Sequence, residues 1–181
     1  MTPLPFATPA DWNHWLAQNP DATEVWVLYH KKSSGVPSID WPQAVIEALT
    51  HGWIDGIRKT LSDTQWIQRF TPRKPASAWS LINIAHAERL IAAGKMTPRG
   101  LKAVAVARAN GQWDRGYSAS APADLPPDFL AALTAANLPE PSDKRSRFLI
   151  TYRLTTAKRP ETRHKRIADF IAKLAAGTKL T

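Results

Sequence analysis

Phe70-Thr71-Pro72-Arg73-Lys74-Pro75-Ala76-Ser77-Ala78-Trp79-Ser80 is where the chain stops reading as strand and starts reading as helix. Before it, Trp53 to Thr60 and Gln65 to Thr71 flank the turn Leu61-Ser62-Asp63-Thr64, a pattern that predicts a β-hairpin. After it, Ser80 to Ala93 has helical spacing and ends at Gly94. Thr97-Pro98 then caps a second helix that runs to about Ala109 and stops at Gly111. The junction brings Arg73, Lys74, Ser77 and Ser80 to a helix start, where unpaired N–H groups and a partial positive charge favour an anion.

Upstream, Thr8-Pro9-Ala10-Asp11 supplies an N-cap, a proline at the first helical position and an acid at the third, which predicts a helix over Pro9 to Gln18. Glu24 to Lys31 is rich in valine and aromatic residues and reads as a strand. Asp40-Trp41-Pro42-Gln43 repeats the capping logic and opens a helix to about Thr50, with Gly52 as its stop. The first strand and the hairpin make a small antiparallel sheet of about three strands. Downstream come helices near 127–136, 142–157 and 160–176. In the last, Ile167, Phe170, Ile171 and Leu174 form an apolar stripe at helical spacing. The expected class is therefore α+β, with about seven helices and a helix-rich C-terminal half. The expected organisation is an α+β body over 1–117, an Ala/Ser/Pro linker over 118–128, and a basic helical segment over 129–181 packed on the body as one unit.

A chain of 181 residues is long enough for one well-buried core. No run approaches eighteen apolar residues, and Met1 to Ala10 lacks a basic start followed by an apolar core, so the expected location is the cytoplasm. The absence of cysteine removes disulfides, thiolate catalysis and cysteine-ligated zinc. The net charge of +9 is a C-terminal property: 13 basic and 13 acidic residues precede Lys144, against 11 and 2 from there on. All eight tryptophans precede that segment. Aromatics and cations therefore do not interleave as they do in a groove for single-stranded nucleic acid.

The five histidines show no paired metal-ligand spacing; His51 and Asp55 are four apart, but Gly52 sits between them at a helix end. No G-x-S-x-G elbow surrounds Ser77 or Ser80, and no glycine-rich phosphate loop is present, so neither a metal nor a cofactor is expected. The candidate site is a pocket walled by Trp53, Trp66 and Trp79, with Arg58, Arg69, Arg73, Lys74 and Asn83 around it. Asp55 orients, Arg69 and Arg73 pair with an anion, and Ser77 and Ser80 donate hydrogen bonds. The same residues also admit a plain structural account: core tryptophans, capping serines and a salt-bridged aspartate. The run Lys158-Arg159-Pro160-Glu161-Thr162-Arg163-His164-Lys165-Arg166 invites a nucleic-acid reading, although a charge run on a helix is usually its solvated face.

The series GWIDG at 52–56, FTPRK at 70–74, SAWSLIN at 77–83, GKM at 94–96 and AKRPETRHKRI at 157–167 resembles the bacterial YdeI/OmpD-associated proteins, also called bacteriocin-protection proteins. The resemblance runs from about Trp12 to Lys179. It implies a small α+β protein with a helical C-terminal segment and a role in tolerance of bacteriocins or antimicrobial peptides, and it supplies no catalytic residues. Family descriptions suggest a periplasmic setting, but nothing here resembles a secretion signal. The expected function is binding of a small anionic ligand or an acidic protein partner, without catalysis. The alternatives are a nucleic-acid-associated protein that uses the basic C-terminal helices, and an enzyme that uses Asp55 as acid or base.

Overall fold

The computed structural model describes residues 2–117, 124–178 and 180. They fall into two compact units, divided between Gly116 and Tyr117. Most of the expected linker, residues 118–123, lies outside the described residues.

The first unit is built on a four-stranded sheet in the order β1-β2-β4-β3, made of β1 (Leu4–Pro5), β2 (Val25–His30), β3 (Trp53–Thr60) and β4 (Gln65–Pro72). β2 and β3 both pair antiparallel with β4, as the hairpin pattern requires. β1 corrects the expectation of about three antiparallel strands: Leu4 and Pro5 add a fourth, parallel to β2 through Val27 and Leu28. Two residues are too few to leave a periodic signal in the sequence.

Strand alternation decides what faces inward. Val25, Val27 and Tyr29 of β2 are buried on one face, and the register sets them opposite Phe70, Gln68 and Trp66 of β4. Against this unit's core pack α1 (Pro9–Gln18) and α2 (Trp41–Thr50). Each starts at a complete capping box, Thr8 with Asp11 and Asp40 with Gln43. Trp12 is fully buried between sheet and helices, and its Nε1 donates to the carbonyl of Ala44 at 3.0 Å. That bond satisfies the indole's polar edge inside the core.

After β4 come α3 (Leu81–Ala92), capped by Ser80, and α4 (Pro98–Ala109), capped by Thr97. α4 starts against the end of α2: the Thr97 N–H and hydroxyl both donate to the carbonyl of Thr50, at 3.0 and 2.7 Å. Gly100 permits this approach, because a Cβ there would stand 2.2 Å from that carbonyl oxygen.

The second unit contains α5 (Pro127–Ala135), α6 (Lys144–Thr155) and α7 (Pro160–Ala175). Its own core gathers Leu125, Phe129, Leu133, Ile150, Leu154, Phe170 and Leu180. The stripe read from the sequence supplies buried Phe170 together with the half-buried Ile167, Ile171 and Leu174 packed beside it. Among the described residues no helix is long and apolar enough to cross a membrane.

Candidate anion-binding site

In the first unit the corner between α2 and β3, the segment following β4, and one face of α4 enclose a recess of about 360 Å³. Its corner is fixed by Gly52, whose φ of +73° is left-handed and whose added Cβ would come within 3.0 Å of the Arg99 carbonyl oxygen. The Gly52 carbonyl accepts from the N–H of Arg73 at 2.9 Å, which ties the segment after β4 to the same corner. From α4, Arg99, Lys102, Ala103 and Val106 point the same way, as residues three and four apart on a helix must.

The recess is electrically one-sided. Arg73, Lys74, Arg99 and Lys102 line it together with His51, and no carboxylate is among its lining residues. Arg73 is held in place: its guanidinium lies over the Trp79 ring, 3.6 Å from the centroid, and its Nη1 donates to the Ala78 carbonyl at 3.1 Å. Trp79 is buried and leans on Trp113, so the platform beneath Arg73 is rigid. His51 is only 6% exposed, and its Nε2 is buried with no hydrogen-bond partner among the described residues. Burial, and then the nearby charge of Arg99, push its pKa below the ordinary histidine value. Four cations on one lining raise the potential at the recess and concentrate anions there, although the charge of Arg73 is shared with Asp55 outside it.

The sequence-derived set divides. Arg73, Lys74 and Trp79 line the recess. The other two tryptophans do not, which corrects the expectation of a single pocket walled by three indoles. Trp53 points into the core, fully buried, its ring centroid 6.1 Å from that of Trp15. Trp66 lies between Tyr29, stacked at 3.9 Å, and the guanidinium of Arg58 at 4.2 Å. The expected role of Arg69 also needs correction. It sits opposite Trp26, one residue out of phase with inward-facing Phe70, and it binds Glu24 through Nε at 2.8 Å. Ser77 and Ser80 serve as local caps: Ser77 Oγ accepts from the N–H of Lys74 and Ser80 Oγ from the N–H of Asn83. Neither serine lines the recess, nor does Asn83.

Asp55 belongs to a different cluster. A register shift between Asp55 and Arg58 marks a bulge in β3. Gln68 fills it, donating from Nε2 to Asp55 Oδ2 at 3.0 Å and to the Gly56 carbonyl at 2.9 Å. Trp41 Nε1 donates to the same carboxylate oxygen at 3.2 Å. Burial raises the pKa of Asp55, and the hydrogen bond from Trp41, its own backbone and the charge of Arg73 offset this only in part. A raised native pKa means the folded state holds the Asp55 proton more tightly than the unfolded chain. The stability it contributes is complete below the ordinary aspartate pKa and is lost as pH rises through the folded value. Asp55→Asn should therefore melt close to the wild type at acid pH and a few degrees above it at neutral pH. Thermal melts across that range check this, and a lower melting temperature at neutral pH would contradict it.

Sequence reasoning missed Arg99, Lys102 and His51 as members of one site. The spacing of Arg99 and Lys102 was visible, but only the contact of α4 with α2 shows which way that face looks. In the second unit, two cations of the basic run brace the fold. Arg163 binds Asp128 through Nε at 2.6 Å and Nη2 at 2.8 Å and donates to the Leu154 carbonyl at 2.6 Å, while Arg166 donates to the Arg153 carbonyl at 2.5 Å. Among the described residues no three His, Asp or Glu side chains gather as a metal site would need.

Fold and site thus define an α+β protein with a cationic recess at the contact of two helices. The chain belongs to the family described as a domain of unknown function (DUF8412), whose model matches residues 4–103. Residues 142–177 match the family described as Bacteriocin-protection, YdeI or OmpD-Associated, the one named from the sequence motifs. That match is confined to the C-terminal segment, so the motifs at 52–56, 70–74 and 77–83 fall in the stretch that carries the other family's match. No curated protein and no solved structure matches the chain.

Proposed function

We propose that the protein binds a small anionic ligand in the recess of the first unit, without catalysing a reaction on it, and that it does so in the cytoplasm. The observation that carries the reading is the convergence of Arg73, Lys74, Arg99 and Lys102 on one concave surface with no acid among them.

The C-terminal family description suggests that the biological setting is bacteriocin tolerance. Bacteriocins and antimicrobial peptides are typically cationic, and a protein of net charge +9 repels them at long range, so protection on this reading is indirect. Calorimetric titration with a cationic peptide at physiological salt should give no tight binding; saturable tight binding would refute the indirect route.

The recess itself is tested with inorganic phosphate as the probe. Lys102 is exposed and Arg99 half-buried, so the double variant Arg99→Gln/Lys102→Gln should keep the fold. We expect it to lose at least about tenfold in phosphate affinity by calorimetry, since a charge-assisted hydrogen bond is roughly twice as strong as a neutral one. Unchanged affinity, or no saturable phosphate binding by the wild type at millimolar concentration, would sink the proposal.

A further inference from the structure

We infer that the second unit binds single-stranded nucleic acid along α6, with bases stacking on Phe148 and Tyr152 and the phosphates held by cations at the two ends of that helix. The inference is independent of the recess in the first unit.

The first argument is where the rings sit. Ile150 and Leu154 are buried and carry the core face of α6. Helical geometry puts Phe148 and Tyr152 roughly 160° around from them, on the side turned away from that core. Both are half-buried, and the unit's core cluster does not include them. They pack on each other instead: the two rings stack with centroids 5.8 Å apart and 14° between planes, and Tyr117 meets Tyr152 edge-on at 4.8 Å. One aromatic residue on a surface needs no explanation. Three in mutual contact outside the core make a platform, and flat ring faces are what a nucleobase stacks on.

Charge is the second argument. Lys144 and Arg145 stand about one turn before Phe148, and Lys158 and Arg159 follow the end of the helix. All four are exposed, and none makes an ion pair among the described residues. The acids before α6 are engaged: Glu140 binds Arg147 at 3.0 Å, and Asp143 accepts from the Ser146 N–H at 2.8 Å. Glu161, in the first turn of α7, is a single acid near two cations. α6 therefore supplies the interleaving of rings and cations that the tryptophans, all placed earlier, do not.

This order of cation, ring, ring and cation suits a strand whose bases are open and whose phosphates recur at every nucleotide. A duplex keeps its bases stacked on one another and presents no ring face. An anionic membrane calls for an aliphatic wedge, whereas Thr151 and Thr155 flank the rings here.

Fluorescence anisotropy of the full chain with labelled decamers of thymidylate and uridylate tests the inference and tells DNA from RNA. Saturable binding of at least one is expected at low salt, with log affinity falling linearly with log salt. Phe148→Ala/Tyr152→Ala should weaken it at least about tenfold without changing the salt slope, because stacking does not depend on released counterions. Lys144→Gln/Arg145→Gln should instead reduce the slope by about 1.4, at about 0.7 per phosphate contact. A hairpin duplex should bind more weakly and be indifferent to the ring substitutions. Phosphate affinity of the first unit should not change in either variant. If the ring variant fails to melt as a folded chain, 2-aminopurine placed in the decamer decides on the wild type, where stacking should quench its emission. Binding of neither decamer, or of phosphatidylserine vesicles in their place, would overturn the inference. So would binding that survives loss of both rings, absence of the quench, or binding that is lost in Arg99→Gln/Lys102→Gln, which would move the strand to the first unit.

Discussion

Gly100→Ala should destabilise the first unit by about 3 kcal/mol, at the upper end of what overpacking costs in a well-packed interior. The added methyl would stand 2.2 Å from the Thr50 carbonyl oxygen and 2.9 Å from its carbon, both backbone atoms that no rotamer change can move. Relief requires α4 to back away from α2. That breaks the two bonds from Thr97 to the same carbonyl and leaves a buried acceptor without its partners. Gly94→Ala is the control. Gly94 is left-handed at φ +65° but has open space around its Cβ, so alanine there carries only the conformational cost of about 1–2 kcal/mol. Urea denaturation of the two variants separates the effects. A Gly100→Ala loss no larger than that of Gly94→Ala would show that the helix contact is looser than its geometry implies. Arg99 and Lys102 ride on α4, so the same shift should also weaken phosphate binding in whatever fraction remains folded.

What the sequence made legible follows from how local each signal is. The helix starts at Thr8, Asp40, Ser80 and Thr97 were readable because capping is decided within four residues, and the structure places a side-chain cap at each. The hairpin was readable because its turn and its two strands are contiguous. β1 was not, since Leu4 and Pro5 become a strand only through pairing with Val27 and Leu28, more than twenty residues away. The site was legible in the same partial way. Arg73, Lys74 and Trp79 adjoin one another in sequence, and they do meet at the recess. Trp53, Trp66 and Arg69 were grouped with them by residue type, but strand register disperses them: a step of one residue along β4 turns Arg69 away from the face that holds Phe70. His51, Arg99 and Lys102 join the site through the close contact at Gly100, which nothing local to α4 announces.

Trp53→Ala should cost about 3–5 kcal/mol, the range for truncating a large aromatic side chain in a core, and Trp66→Ala markedly less. Trp53 is fully buried in the cluster with Trp12, Trp15 and Phe70, where the neighbouring rings are held by two helices and the sheet and cannot collapse into the vacated space. Trp66 is half-buried, with Tyr29 on one side and the exposed side chain of Arg58 on the other, so water and a mobile arginine can take its place. The pair separates a structural tryptophan from a surface one and carries a finer prediction about polarity. Trp53 Nε1 is buried without a hydrogen-bond partner among the described residues, unlike that of Trp12, which is bonded to Ala44. Trp53→Phe therefore removes an unsatisfied donor along with part of the ring, and the two effects oppose each other. We expect a net loss of about 1 kcal/mol or less, whereas Trp12→Phe gives up the indole's bond to the Ala44 carbonyl, which keeps its partner within α2, and should cost about 1 kcal/mol more. Equal losses for the two phenylalanine variants would mean that the Trp53 indole N–H has found a partner, and that the interior around β3 is wetter than its burial suggests.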